Sequence, residues 1–404
     1  MSADSLYHAF GLKGYCVHAI HRENNQIVLE TRQPRESLRC SACGSAHVFS
    51  QGNSKRRFRA VPIGTQSVII ELAVPRVRCR DCSLVRQVKI PFAPGSRRYT
   101  KAFERYALEL ARITTTKHAA QHLGVSWDTI RDIERRYLEK HFSQPKLKHL
   151  KRIAIDEIAV RKGHRYLTLV LDLDSGRVVY VGKGRKKQSL DNFWKRLTAS
   201  RAKIEAVATD MSPAYVGAVR EHVPKAALVF DRFHVMKLFN DKLTALRRDL
   251  HREATDGLQK KVLKGTRWLL LRNPQNLNAE KREHERLEEA LSLNKPLATA
   301  YYLKEELRLL WEQPGPITAE VFLRDWCRRA RASGIKMLMT FANTLEGYRS
   351  GILSWYEYPI STGPLEGVNN KIKTLKRTAY GYRNESYFEL KILAIHQTEY
   401  ELVG

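Results

Sequence analysis

The chain has 404 residues, 43% of them apolar, enough for about two to four domains that each bury a core of their own. Lysine and arginine outnumber aspartate and glutamate by 71 to 42, a net charge of +29, and such an excess calls for a polyanionic partner, nucleic acid ahead of an anionic membrane. No apolar run reaches the ~18 residues that cross a bilayer, residues 1–10 lack the profile of a secretory signal, and six cysteines are too few for a disulfide scaffold, so a soluble intracellular protein is expected.

Residues 15–90 read as short strands, over 16–20, 27–31, 67–74 and 85–90. Cys40-Ser-Ala-Cys43-Gly and Cys79-Arg-Asp-Cys82 have the spacing at which two thiolates on a tight turn grip a tetrahedral zinc, and two such turns close a four-cysteine site. The 35-residue gap between the pairs must then hold a β-hairpin. Unrelated cysteine turns or redox dithiols are the alternatives, and His47 is a spare ligand. A closed four-thiolate Zn2+ site leaves no position for water, so its role is folding and docking. Cys16 and Cys327 are left over as small buried or idle thiols.

From 100 to 140 the apolar period becomes helical. Within it, 116–131 places small residues in a first helix, Gly124 at a turn and Ser126 as the cap of a second, with Leu123, Val125 and Ile130 packing the two together. This is a helix-turn-helix pattern, with an ordinary helical hairpin as the alternative. Trp127, Asp128 and Arg131 fall at the exposed start of the second helix, where a recognition helix meets base edges. Ser143-Gln-Pro-Lys-Leu-Lys-His reads as a linker.

Beyond it, strands are predicted over 152–160, 166–172, 177–182, 204–209 and 226–230, with helices near 190–202 and 213–222. Asp172-Leu-Asp174-Ser-Gly176 is a hairpin turn whose acids are turn formers. Three antiparallel strands followed by alternating helices and strands is the layout of a ribonuclease H-like sheet. Residues 235–350 read as helical and highly charged, an all-helical insertion before a last helix. The fold class expected is therefore multidomain α/β. The segments are 1–95 (zinc-binding β module), 96–150 (helix-turn-helix and linker), 151–240 (first part of the ribonuclease H-like domain), 241–354 (helical insertion) and 355–404 (last helices).

Three carboxylates stand out against this frame. Asp156 falls midway on the first strand of the sheet, Asp210 at the end of the fourth, and Glu366 at the head of the last helix. Together they could hold two Mg2+ ions, ~3.5 to 4 Å apart, against a phosphodiester. Successive strand residues face opposite sides, so Glu157 should not share the site with Asp156. Glu366, Asn370, Lys373 and Arg377 follow i, i+4, i+7, i+11 and share one helix face, able to meet metal and phosphates together, with a solvated charged face as the alternative. Lys183, Arg185, Lys186 and Lys187 make a second basic cluster, either phosphate-binding or a solvated loop. Trp268 in the helical insertion is either core or a platform for an extruded base, and Trp355 is a weaker candidate for the same role.

The order of zinc module, helix-turn-helix, Ile-Asp156-Glu157, Thr-Asp210-Met-Ser-Pro-Ala-Tyr215, Phe-Asp231-Arg-Phe-His234-Val and Gly363-Pro-Leu-Glu366-Gly-Val-Asn-Asn370-Lys-Ile-Lys resembles the bacterial insertion-sequence transposases of the ISL-three family. The likeness runs from about Leu38 to His396. It implies a DDE-class enzyme with Asp156, Asp210 and Glu366 as catalytic triad and two Mg2+ ions, for which Mn2+ can substitute. Asp231 and His234 then match an accessory motif, against a plain strand-end cap, and a rival triad of Asp156, Asp210 and Asp231 leaves Glu366 unexplained. The partners implied are double-stranded DNA, as element ends and as target, and a second protomer or more. The location implied is the bacterial cytoplasm, at the nucleoid. A catalytically silent DNA-binding regulator descended from such an enzyme is the rival function.

Overall fold

The computed structural model describes residues 10–161 and 165–396. Its contacts divide into two compact units, one of residues 10–143 with 376–390, the other of residues 144–161 and 165–375 with 391–396. No helix among the described residues is long and apolar enough to cross a membrane.

The first unit starts with a five-stranded sheet: β1 (Cys16–Glu23), β2 (Gln26–Arg32), β3 (Val48–Ile63), β4 (Gln66–Cys79) and β5 (Val85–Gln87), in the order β1-β2-β4-β3 with β5 beside β4. Val68, Ile70, Leu72 and Val74 alternate along β4 and are fully buried, so one face of the sheet is the core. The long strand β3 was not foreseen. Its stretch Ser50-Gln-Gly-Asn-Ser-Lys-Arg-Arg57 has no β-branched residue, and its strand state comes from antiparallel pairing with β4, as in Arg56 against Leu72. The β3–β4 pair is the hairpin that the cysteine spacing requires.

Three helices follow, α1 (Lys101–Ile113), α2 (Thr116–Leu123) and α3 (Trp127–Phe142). Thr100, Thr115 and Ser126 cap them through side-chain oxygens that accept from the backbone N–H three residues on. Between α2 and α3, Gly124 takes φ +59°, the left-handed turn that glycine adopts without a Cβ clash. Arg59 on β3 reaches that turn and donates to the Leu123 carbonyl over 2.7 Å. Residues 376–390 complete the unit, and the Tyr387 hydroxyl donates to Glu134, an acid of α3 that is 1% exposed.

In the second unit β6 (Arg152–Arg161) lies at the centre of a sheet ordered β10-β9-β6-β7-β8, with β7 (Arg165–Asp172), β8 (Val178–Lys183), β9 (Ala206–Thr209) and β10 (Ala227–Phe230). The β6, β7 and β8 strands are antiparallel; β9 runs parallel to β6, and β10 parallel to β9. Helices α4 (Asp191–Ser200) and α5 (Pro213–His222) cover the sheet with Phe193, Trp194 and Tyr215. The expected linker is only partly one: Leu147 and Leu150 are buried in this core, and the Pro145 carbonyl accepts from Arg196.

A helical segment then runs from α6 (Arg232–Glu253) to α13 (Arg349–Leu353), by way of α7 (Gly257–Gly265), α8 (Arg267–Leu271), α9 (Glu283–Ser292), α10 (Lys295–Leu307), α11 (Pro316–Ala332) and α12 (Lys336–Gly347). Edge-to-face contacts among Phe239, Trp326 and Phe341 mark its core. It packs on the sheet where Gly351 meets β10, and a Cβ there would stand 2.3 Å from the Phe230 ring. Helices α14 (Gly363–Thr378) and α15 (Glu385–Leu393) end the described chain.

Candidate catalytic site and DNA-binding elements

The parallel pairing of β9 with β6 sets Thr209 beside Ile155, so Asp156 on β6 and Asp210, the residue just past β9, come at one level. Both are partly buried. Asp210 Oδ1 accepts from the Ser212 N–H over 3.0 Å, which fixes its direction at the strand end. Asp156 Oδ2 accepts from the Asn369 side-chain amide of α14 over 3.1 Å. Burial raises the Asp156 carboxyl above the usual carboxylate range; the Asp210 charge adds to the rise, while the Glu157 backbone N–H, His234 and Asn369 oppose it.

Glu157 lies closer to this chemistry than strand alternation suggested. Burial raises its carboxyl too, followed by the charges of Asp210 and Asp156, against a hydrogen bond from Tyr215 and the charge of Arg185. The Tyr215 hydroxyl lies 3.1 Å from Thr168 Oγ1, which donates to the Gly184 carbonyl. Asp156 and Glu157 leave β6 on opposite faces, yet Asp210 follows the end of its short strand and is felt by both.

In the first unit the sulfurs of Cys40, Cys43, Cys79 and Cys82 lie within 4.8 Å of one another, with Cys40–Cys82 and Cys43–Cys79 both at 3.6 Å. Thiolates bound at about 2.3 Å around a tetrahedral zinc would be spaced in this way. Backbone N–H groups of Cys43 and Ala42 bring the Cys40 thiol down to about 6. The His47 ring turns instead to Asp81, 3.3 Å away. Cys327 is buried and Cys16 exposed.

On α3 the Trp127 ring is exposed and the Arg131 guanidinium lies over it, 4.8 Å from its centre. Arg131 also pairs with Asp128 at 2.8 Å and Asp132 at 3.0 Å. The side chain expected at a base edge is thus paired with two acids of its own helix.

Residues 153–392 match the transposase domain of family ISL3. Residues 88–138 match the helix-turn-helix domain of transposase family ISL3, and residues 36–82 the zinc-finger of transposase IS204/IS1001/IS1096/IS1165. The chain is 34% identical, over 358 residues and 88% of either chain, to the transposase for insertion sequence element IS1001 of Bordetella parapertussis. It is 29% identical, over 88% of its length and 86% of the relative's, to the transposase for insertion sequence element IS1557 of Mycobacterium tuberculosis. This chain belongs to the ISL3 family of transposases. Among solved structures, the Drosophila P element transposase strand transfer complex aligns over 75% of this chain and 93% of that one, at 12% identity and a TM-score of 0.40, too low to bear weight.

Within the ISL3 transposase domain the remaining sequence-predicted residues separate. Asp231, 7% exposed, has both oxygens occupied: Oδ1 accepts from the Phe233 N–H at the start of α6, and Oδ2 accepts from the Thr362 N–H (3.1 Å) and hydroxyl (2.9 Å) just before α14. That is the strand-end cap, extended to hold the approach to α14. His234 is near enough to favour the charge of Asp156. Glu366, Asn370, Lys373 and Arg377 lie on the exposed side of α14, while Leu365, Val368, Asn369 and Ile372 form its buried face. Trp268 is 62% exposed with Arg267 stacked on it at 4.6 Å, whereas Trp355 packs against the helical core. In the basic cluster, Lys187 pairs with Glu221 and Arg185 lies over Tyr166. Sequence reading missed Asn369 in favour of its neighbour Asn370. The signal was present, because 365, 368, 369 and 372 carry the apolar period of the helix and Asn369 is the polar residue among them.

Proposed function

We propose that this transposase is a DDE-type enzyme in which Asp156, Asp210 and Glu366 hold two divalent cations for phosphodiester cleavage and strand transfer at the ends of an insertion sequence. One observation carries the reading: Asp156 on β6 and Asp210, the residue just past the parallel strand β9, stand at one level, and Asn369 ties the helix bearing Glu366 to Asp156. The donor set suits Mg2+ or Mn2+, being all oxygen, and burial disfavours the charge on Asp156 until a cation offsets it. Bound there, the cations would supply activation of the attacking oxygen and stabilisation of the leaving one.

The chain's own residues do the rest. Asn369 keeps Asp156 aimed, Asp231 fixes the start of α14 through Thr362, and Lys373 on the exposed side of that helix meets backbone phosphate. The order β10-β9-β6-β7-β8 supports a ribonuclease H-like reading of the sheet, with the helices from Arg232 to Leu353 as its insertion. The zinc module and helix-turn-helix bind the terminal inverted repeats, and joining two ends to target DNA needs at least two protomers.

A duplex carrying the element's terminal repeat tests this. With Mg2+ or Mn2+ the protein should nick it, while Asp156→Ala, Asp210→Ala and Glu366→Ala should each still shift the duplex and leave it uncut. Tight binding without cleavage in either metal would make the protein a silent regulator instead.

A further inference from the structure

Helix α14 ends in a tight reversal whose geometry asks for glycine and holds tyrosine. The Tyr380 N–H donates to the Arg377 carbonyl and the Gly381 N–H to the Lys376 carbonyl, the paired bonds of a Schellman cap. In that motif the first residue past the cap is left-handed, a conformation in which a Cβ crowds the backbone. Tyr380 occupies it at φ +52° and is the single aromatic among the described non-glycine residues of positive φ. Nothing in the fold compensates, because the side chain is 99% exposed. Tyr382, two residues on, shows the contrast: its ring stacks on Phe388 at 4.6 Å. Along the chain, residues 371–383 carry Lys371, Lys373, Lys376, Arg377 and Arg383 and no acid.

A strained backbone that presents a bare aromatic ring within a stretch whose charged side chains are all basic matches the two requirements for holding unpaired nucleic acid, a stacking surface and charges for the backbone beside it. We propose that Tyr380 is a DNA contact that stacks on an unpaired base of the bound strand. The proposal builds on the transposase reading above and adds a single-stranded contact to it.

Two duplexes separate the possibilities, one blunt and one with a short single-stranded extension carrying 2-aminopurine, each titrated into the full chain. The wild type should prefer the extended duplex and quench its fluorescence. Tyr380→Phe should behave alike, and Tyr380→Gly and Tyr380→Asn, which the left-handed position accepts, should lose the quench and bind the extended duplex about tenfold more weakly with blunt-duplex affinity unchanged. Both should melt no lower than wild type. Full quenching by the Gly and Asn variants, equal losses on both duplexes, or a lower melting temperature would each overturn the stacking role. Failure of the wild type to bind either duplex would instead remove the DNA-recognition reading on which it rests.

Discussion

The side-chain amide of Asn369 donates to Asp156 Oδ2 over 3.1 Å, joining residues 213 positions apart. This bond leaves Asp156 with one oxygen uncommitted to Asn369 and ties its direction to the helix that carries Glu366. Asn369→Leu keeps the volume near the buried face and removes the donor. Cleavage should fall by about 10- to 100-fold, with a matching rise in the Mg2+ concentration needed, while duplex binding stays unchanged. Unchanged metal dependence would show that Asp156 needs no such support.

Asp231 is expected to matter for stability first. Asp231→Ala would strip the Thr362 and Phe233 N–H groups of their acceptor, the former buried, at a cost of about 1–3 kcal/mol for the unpaired group. Urea unfolding measures it. A variant as stable as wild type that cannot cut DNA would return Asp231 to the rival metal-binding triad.

The carboxylates should show the opposite sign. Burial raises both Asp156 and Glu157, with Asp210 adding to each. A carboxyl raised in the folded state contributes stability that is full below its unfolded value, about 3.9 for Asp and 4.3 for Glu, and lost as pH rises through the folded one. Without metal, Asp156→Asn and Glu157→Gln should therefore melt above wild type near neutral pH, and the gap should close toward about pH 4. Melting curves in EDTA across that range decide it; a variant that melts lower near neutrality would mean that the charge supports the fold.

For the four cysteines, one zinc per chain is expected by elemental analysis, lost in the double variant Cys79→Ser with Cys82→Ser. His47→Ala should keep it, because that ring faces Asp81. Zinc loss should also weaken DNA binding, since β3, which shares the hairpin with the Cys79 strand, supports the α2–α3 turn through Arg59. Loss of zinc from the His47 variant would overturn the four-thiolate site.

Arg131 must exchange Asp128 and Asp132 for DNA before it reads a base. Arg131→Ala should lower the preference for the element end over random DNA by about tenfold, within the ~1–3 kcal/mol of a bidentate contact. Competition binding at several salt concentrations measures the ratio, and an unchanged ratio would place recognition elsewhere.

Much of this was legible because local rules and tertiary packing agree. The helix-turn-helix shows in Ser126, Gly124 and the apolar period, and Asp156 within β6 and Asp210 just past β9 show because each follows an apolar run. Legibility failed where partners decide the state. Polar β3 becomes a strand through β4, and Leu147 leaves the linker for a core built from later residues. Asp231 was left open between two roles, since Thr362, its partner, lies 131 positions away and carries no motif.

The bond from Tyr387 to Glu134 spans 253 residues. During synthesis α3 emerges with that acid unmatched, and its partner leaves the ribosome only about 10 to 50 seconds later, at 5–20 residues per second. By then every strand and helix with a proposed catalytic carboxylate has been made. The helices that read DNA therefore reach their finished packing last, so a nascent or truncated chain would hold an incomplete grip on DNA until the protein that could cut it is whole.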